Sequence, residues 1–275
     1  MNIYKVDGHE NSILPEGNWK LVWNDEFDGN ELDTSKWDYR TCMMGKIHPA
    51  WVRDGVSLDG KGNLVFTLIE KDGKPVSAQL QTGYNFMDEP ADGSKCFGSD
   101  SIYWPIGKLH ENLYLKKYGY FECRCRLQQH PEAWWSAFWV QSPMRGASLD
   151  PAISGTELDI MECFNTGEIA AHNAFTGGYA HDLRRKSVGG ISDGSIDQTV
   201  FHRFGMKWDE TGYTFYIDGK EDGHISENIS HIPEFILIST EVKGYRKEGH
   251  AAVKEAYDAI GDTFVVDYIR VFDKD

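Results

Sequence analysis

Short segments of alternating apolar and polar residues recur along the chain, and clusters of Gly, Asp, Asn and Pro separate them. Alternation with a period of two is the pattern of a β-strand that buries one of its faces. The pattern predicts strands over residues 64–69, 118–127, 136–140, 157–164, 204–208, 213–217, 235–240 and 263–272. The sixth of these runs directly into Asp218-Gly219, which predicts a tight hairpin turn.

One segment, His250–Ile260, instead repeats its apolar residues at helical spacing, and Gly261 is placed to end that helix. Many short strands with a single helix are typical of a β-sandwich or a β-barrel. Because no internal repeat or linker-like tract divides the sequence, we expect an all-β fold with one domain over residues 1–275.

Composition and charge exclude several classes of protein. Hydrophobic residues make up 40% of the chain and aromatic residues 13%, which suffices for a large core and excludes a disordered chain. The 28 Lys and Arg are outnumbered by 43 Asp and Glu, so the net charge is −15. Nucleic acids and anionic membranes are bound by clustered basic residues. We therefore expect neither of them as a partner, and we expect a monomer.

The sequence shows no export signal and no cysteine pattern typical of disulfides or a zinc site. Its first residues contain no apolar signal segment and no run reaches membrane-spanning length, so the chain as written is expected to be cytoplasmic. A secreted or periplasmic protein whose leader has been removed would read the same. The five cysteines form no C-x-x-C pair, so we expect reduced thiols rather than disulfides or a zinc site.

The segment Gly155–Phe164 carries the candidate chemistry. Glu157 and Asp159 share one face of the predicted strand, whereas strict alternation sends Glu162 to the other face. A β-bulge near Ile160-Met161 adds one residue and returns Glu162 to the face of the other two acids. Three carboxyls in a row cannot all stay ionised cheaply, so at least one pKa is expected to rise. One ionised and one protonated carboxyl are what cleavage of a glycosidic bond requires.

Two observations bear on whether this acidic row is functional. An E-x-D-x-x-E spacing also arises by chance in an acid-rich chain. Tryptophans just upstream favour a function, because an exposed indole can stack on the apolar face of a sugar. Trp134 and Trp135 are adjacent and point to opposite sides of an extended segment, so one of them is expected to line a cleft. Trp139 lies within a predicted strand and either packs in the core or lines the same cleft.

The stretch Glu157-Leu158-Asp159-Ile160-Met161-Glu162 resembles the active-site signature of glycoside hydrolase family 16 in its β-bulged form. That family includes laminarinases, agarases, porphyranases and carrageenases. Further segments are similar to the family in the same order, namely residues 19–29, 118–122, 201–208, 213–219 and 266–272. The resemblance therefore covers a core of about residues 19–273.

This resemblance implies a jelly-roll sandwich of two antiparallel sheets, similar to concanavalin A, with a substrate cleft on its concave face. It also implies endo-acting, retaining hydrolysis by double displacement, without a cofactor. The implied substrate is a polysaccharide or oligosaccharide, either a β-glucan (β-1,3 or β-1,3/1,4) or a β-linked galactan. By position, Glu157 would be the nucleophile and Glu162 the general acid/base, and Asp159 would lie between them and hydrogen-bond the nucleophile.

The resemblance also suggests residues outside the motif. A family strand that often carries a histidine–aromatic pair corresponds to residues 172–179, where Phe175 and Thr176 replace the pair and His172 lies just upstream. The candidate substrate-binding residues are Trp134, Trp135, Trp139, His172 and Trp104. Family members often hold a structural calcium near the first and last strands, where Glu26 and Asp267 could supply oxygen ligands.

Two other functions stay open at this point. A non-catalytic lectin can use the same sandwich, although a binding protein has no need to keep all three acids of the row. A transglycosylase shares the covalent intermediate and passes it to a sugar instead of water. The glycan itself depends on loops such as 85–112 and 143–155, and neutral and sulfated substrates both remain possible. The scattered basic residues mildly favour a neutral one.

Overall fold

A computed structural model of the chain describes residues 2–88, 110–170, 172–177, 183–246 and 250–275. This part of the chain forms short and long strands with two short helices. The strands are β1 Asn2–Tyr4, β2 Ser12–Leu14, β3 Trp19–Asp25, β4 Asp38–Tyr39, β5 Cys42–Met43, β6 Lys46–Ile47, β7 Val56–Leu58, β8 Leu64–Thr67, β9 Ile69–Lys71, β10 Lys74–Val76, β11 Gln79–Gln81, β12 Gly119–Arg126, β13 Trp134–Gln141, β14 Glu157–Cys163, β15 His172–Thr176, β16 Arg184–Val188, β17 His202–Asp209, β18 Gly212–Ile217, β19 Lys220–Ile225, β20 Phe235–Val242 and β21 Thr263–Lys274. The helices are α1 Pro151–Ser154 and α2 Lys254–Asp258.

Two antiparallel sheets make up the body of the molecule. A seven-stranded sheet has the order β16-β15-β14-β13-β20-β11-β4. In an eight-stranded sheet, seven strands have the order β19-β18-β17-β12-β21-β8-β7. The eighth strand, β3, pairs with residues 269–274 of β21, beyond the residues that pair with β8. Some strands that are neighbours in space are distant in the sequence, as when β12 pairs with both β17 and β21. This is the jelly-roll sandwich that the sequence predicts.

The main core lies between the two sheets and follows from the alternation along each strand. On β13, Phe138 and Val140 are fully buried in this core, and Phe121 of β12 and Phe204 of β17 meet them from the other sheet. Since side chains alternate in direction along a strand, the intervening residues of β13 project from the opposite face of the seven-stranded sheet. That outer face carries the cleft described below.

The outer face of the eight-stranded sheet is covered in part by the β1–β2 hairpin. Leu14 of this hairpin packs with Tyr120, Tyr216 and Phe272 in a separate small cluster. The first residues of the chain therefore close one side of the sandwich and leave the other sheet to form the functional face.

The predicted elements agree with the structure in kind and differ at their ends. The Asp218-Gly219 turn is confirmed, with φ of 50° and 77° at its two residues, as a two-residue hairpin of this type requires. The predicted helix His250–Ile260 was too long, because Val253 is still extended (ψ 156°) and only Lys254–Asp258 is helical. A backbone hydrogen bond from Val253 N to Lys243 O (2.9 Å) ties the extended part to the end of β20.

The described cysteines Cys42, Cys123, Cys125 and Cys163 are all buried. Among the described helices, none is long and apolar enough to cross a membrane.

Candidate active site

The strand that carries the acidic row contains the predicted β-bulge. In the pairing of β14 with β13, Phe138 lies opposite Met161 and Trp139 lies opposite Asp159, so Ile160 has no partner of its own. The extra residue shifts the alternation by one position. As a result Glu162 faces the same way as Glu157 and Asp159, whereas Ile160 and Met161 are both buried in the core.

The three carboxyls line one large cleft on the outer face of the seven-stranded sheet. Its volume is about 1040 Å³, at the upper end of the range for ligand pockets, so an extended chain of several sugar rings fits better than a small molecule. Its floor is built by outward-pointing side chains of successive strands. These include Asn173 and Phe175 of β15, Ser187 of β16, Trp135 and Trp139 of β13, Ser239 and Glu241 of β20, and Gln79 of β11.

The row does not titrate as three independent acids. Burial raises the pKa of Glu162 to about 7, with help from the negative charge of Glu157. Burial also raises the pKa of Asp159 well above its ordinary value, with added repulsion from Glu162 and Glu157. Near neutral pH the row can therefore hold protons at Asp159 and Glu162. Cleavage of a glycosidic bond requires one protonated acid near one ionised carboxylate.

Asn173 joins two members of the row. Its Nδ2 donates to Asp159 Oδ2 (3.2 Å) and to Glu162 Oε2 (3.0 Å). Its Oδ1 accepts a hydrogen bond from Ser187 Oγ (2.6 Å), which fixes the direction of the amide. Asn173 therefore sets the separation of the two carboxyls and opposes the rise of their pKa values by hydrogen-bonding their charged forms.

An arginine faces the other end of the row. Arg145 Nη1 lies 2.9 Å from Glu157 Oε2, and the arginine side chain is only 1% exposed against 18% for the glutamate. It comes from the loop that joins β13 to α1. Glu157 thus has a positive charge directly beside it.

The cleft wall beyond Glu162 combines aromatic rings with a second arginine. Arg246 is bound through Nε and Nη2 to the two oxygens of Glu241, at 2.6 Å each. Its guanidinium lies over the Trp135 ring, 5.2 Å from the centroid. Trp139 is mostly buried in the floor, where its Nε1 donates to Ser239 Oγ (2.9 Å). These groups offer the flat apolar surfaces and hydrogen-bonding edges that a sugar chain contacts.

The structure separates the two adjacent tryptophans as the alternation predicts. Trp135 lies in the cleft, whereas Trp134 is fully buried in the core and donates from Nε1 to Asp262 Oδ2 (3.0 Å). A ring with no access to the cleft cannot bind substrate, so Trp134 is not retained as a binding residue. Trp104 lies outside the described residues.

His172 also lies beneath the sheet rather than in the cleft. It is 1% exposed and stacks on Phe215, with ring centroids 4.5 Å apart. Its Nδ1 donates to the carbonyl oxygen of Ile160 (2.6 Å), and its Nε2 contacts Asp222 Oδ2 (3.0 Å). Since Ile160 is the bulged residue, His172 satisfies a carbonyl group that the strand ladder leaves unpaired. We therefore correct its assignment: it supports the bulge and does not touch a substrate.

Asn173 and Arg145 are among the site residues that the sequence did not single out. A signal existed for Asn173, because in a strand it must face away from its neighbour His172 and toward the acids of β14. For Arg145 the sequence holds no such signal. Its place beside Glu157 depends on how a loop of irregular backbone closes.

Comparison with known proteins adds independent findings. Residues 110–239 match the family described as Glycosyl hydrolases family 16. Glucan endo-1,3-beta-glucosidase A1 of Niallia circulans is 27% identical over 271 residues, an alignment that covers 92% of this chain and 37% of that protein. Beta-glucanase of Rhodothermus marinus is 26% identical over 273 residues, covering 92% of this chain and 85% of that protein.

A solved structure shows the same fold. The laminarinase from Rhodothermus marinus superimposes with a TM-score of 0.64 at 21% identity, over 94% of this chain and 98% of that chain. The chain spans little more than a third of the length of the Niallia relative and most of the length of the Rhodothermus proteins.

Proposed function

We propose that this chain belongs to glycosyl hydrolases family 16 and is an endo-acting β-glucan hydrolase that cleaves internal β-1,3 or β-1,3/1,4 linkages with retention of configuration. The observation that carries the proposal is the row Glu157, Asp159 and Glu162 on one bulged strand in an open cleft. Because the cleft extends across the seven-stranded sheet, it accommodates an internal segment of a polymer better than a chain end. We propose that residues 1–275 act as one catalytic domain and as a monomer.

The proposed reaction has two steps. In the first, a carboxylate oxygen of Glu157 attacks the anomeric carbon, the glycosidic C–O bond breaks, and Glu162 gives its proton to the leaving oxygen. In the second, Glu162 takes a proton from water, the water oxygen attacks the anomeric carbon, and the ester to Glu157 breaks. Both carboxyls return to their starting states. The cleft offers Trp135 and Trp139 as the aromatic surfaces on which sugar rings stack.

Replacing Asp159 by asparagine is expected to lower kcat roughly 10- to 100-fold and to shift the pH profile. Asp159 hydrogen-bonds Glu162 and thereby lowers the pKa of that acid. An amide donates a weaker hydrogen bond than a carboxylic acid, so the pKa of Glu162 should rise and the basic limb should move to higher pH. The measurement is kcat/KM against pH for both proteins. An unchanged profile would contradict the role assigned to Asp159.

The substrate class is tested by the release of reducing ends from laminarin, mixed-linkage β-glucan, agarose, porphyran and carrageenan. We expect activity on a β-glucan, with oligosaccharides as early products because the cleavage is internal. Activity on a galactan alone would overturn the glucan assignment but not the hydrolase. Binding without any cleavage would indicate a lectin, and longer products formed from added oligosaccharide would indicate a transglycosylase.

The sequence-based calcium site does not fit the side chains at its two residues. Both oxygens of Glu26 are bound by the Arg270 guanidinium, at 2.8 and 2.7 Å, and Asp267 is bound by Arg124 at 2.6 Å. Among the described residues, no group of three or more His, Cys, Asp and Glu side chains is placed to hold a metal ion. We expect a chelator to leave Tm unchanged within about 2 °C, since only a ligand of the folded state shifts it. A rise in Tm that depends on the calcium concentration would restore the site.

A further inference from the structure

A histidine at one end of the cleft takes no part in the acidic row. This end, which we call the distal end, is formed by residues within 40–49 and includes His48. The His48 side chain is 8% exposed, and its ring stacks on Trp51 with the centroids 4.0 Å apart and an interplanar angle of 18°. A buried histidine often only fills space in a fold, so the contacts of its two ring nitrogens decide whether it has another role.

One ring nitrogen of His48 is used within its own loop. Ala50 N donates to Nδ1 (3.2 Å), so Nδ1 carries no proton. Burial lowers the pKa of His48 to about 4, with help from the positive charges of Arg246 and Arg40. The ring is therefore neutral near pH 7, and its one proton lies on Nε2, which makes Nε2 a hydrogen-bond donor.

The Nε2 atom of His48 is available to a ligand. It has no acceptor among the residues that the structure describes, and it remains accessible from outside the protein. His48 lines the cleft, so its free N–H can reach a molecule that lies there. Binding sites commonly combine apolar rings with a few placed polar groups, and an open donor beside a stacked aromatic pair is such a combination.

The backbone holds His48 in a fixed position. His48 N donates to the carbonyl oxygen of Thr41 (2.9 Å). Pro49 follows His48 directly and disfavours helical backbone angles at it. The donor is therefore placed before a ligand arrives, which reduces the entropy that binding costs.

A chain of ring contacts joins His48 to the floor of the cleft. The Arg40 guanidinium contacts both the Trp51 ring and the Trp139 ring, 5.1 and 5.2 Å from their centroids. Arg40 is itself held by Asp88 Oδ2, which lies 2.9 Å from Nε and 2.8 Å from Nη2. The surface from Trp139 to His48 is therefore one rigid surface along which a sugar chain can lie.

The segment that carries His48 is remote from the acidic row. Its Trp51 pairs with Ser77, which directly precedes β11, and β13, β20 and β11 lie between this segment and β14. Neighbouring strands of a sheet lie about 4.8 Å apart. A side chain beyond three intervening strands contacts a sugar unit other than the one under attack.

We propose that His48 is a substrate-binding residue of a subsite at the distal end, where Nε2 donates to a hydroxyl or ring oxygen of a sugar unit beyond those at the acidic row. The inference rests on the proposed function for the identity of its ligand, a β-linked glycan. Because this bond is far from the bond that breaks, it stabilises ground state and transition state equally. It therefore strengthens the binding of long chains and leaves kcat unchanged.

The test uses two amides, each of which reproduces one ring nitrogen. In His48→Asn the side-chain oxygen lies near the place of Nδ1 and can accept from Ala50 N, but the donor at Nε2 is lost. In His48→Gln the amide nitrogen lies near the place of Nε2 and keeps that donor.

Kinetics are measured with oligosaccharides of increasing length made from the panel substrate. We expect His48→Asn to raise KM about 3- to 10-fold on chains that reach the subsite, the loss of one hydrogen bond, with kcat unchanged. The shortest oligosaccharide that is cleaved should show no change. His48→Gln should keep most of the affinity for long chains.

A matched control is His231→Asn. His231 Nδ1 lies 2.8 Å from the hydroxyl of Tyr118, and His231 is outside the residues that line the cleft. This variant should match the unmutated chain at every length, and circular dichroism measures the folded fraction of each protein. An unchanged KM of His48→Asn on long chains would overturn the inference. An equal rise at all lengths, or a larger loss in His48→Gln than in His48→Asn, would also overturn it, because either result indicates a structural role through Ala50.

Failure of the hydrolase proposal appears separately, as a lack of cleavage by the unmutated chain. Calorimetry with Glu157→Gln, alone and combined with His48→Asn, measures the Kd for a long glycan without any turnover. A weaker Kd in the double variant supports the subsite whether or not the unmutated chain cleaves that glycan. An equal Kd in the two proteins overturns it.

Discussion

Replacing Glu157 by glutamine is expected to lower kcat at least ~10⁴-fold while the fold and glycan binding persist, because an amide cannot form the glycosyl ester. Glutamine has the size of glutamate, and its amide oxygen can still face the Arg145 guanidinium. The cleft floor beside it, with Trp135 and Trp139, is unchanged. Turnover is measured on the panel substrate, and binding by calorimetry with the same oligosaccharide. An isosteric change at the exposed Glu31 is the control.

The role of Glu157 can be separated from that of a general acid by the stereochemistry of rescue. In a Glu157→Ala protein, azide enters from the side where the carboxylate stood and displaces an activated aryl group. The product is then a glycosyl azide of inverted configuration. An azide product of retained configuration, or an active Glu157→Gln protein, would contradict the assignment of Glu157 as nucleophile.

The fold could be predicted because alternation along the strands is a local property. Around β13 the pattern places Trp134 and Trp135 on opposite sides, and the structure has one in the core and the other in the cleft. The same rule predicts the bulge near Ile160, because Glu162 lies three residues after Asp159 and an odd spacing shares a face only with one extra residue. The helix ending at Ile260 was overestimated, since a bond to the end of β20 holds the preceding residues extended.

The site could be predicted only as far as it lies on one strand. The acids follow each other in sequence, whereas Arg145 reaches Glu157 from a loop whose path depends on Asn85, 60 positions away in the sequence. His172 shows the opposite failure. The family resemblance suggested that this histidine binds substrate, but its position in the alternation of β15 directs it into the core, where its Nδ1 donates to the carbonyl oxygen of Ile160.

Replacing Glu162 by glutamine is expected to lower kcat/KM on the polysaccharide by about 10²- to 10⁴-fold, the usual contribution of a general acid. The leaving group of a glucan is a sugar alkoxide, which must be protonated as the bond breaks. Burial and the nearby Glu157 charge raise the pKa of Glu162 to about 7, so this acid is protonated in mildly acidic solution and still partly protonated at neutral pH. As the pH rises through about 7 the proton is lost, and the activity of the unmutated chain should fall.

The Glu162→Gln variant should show no such fall in activity near pH 7, because an amide has no proton to lose in this range. An aryl glycoside whose leaving group needs no protonation should still form the ester to Glu157, and the slow second step should then let the ester accumulate. Mass spectrometry of the intact Glu162→Gln protein would detect the added glycosyl mass. A basic limb that persists near pH 7 in this variant would assign the titration to another group. The buried Asp159, whose pKa is also raised, would then be the acid to replace next.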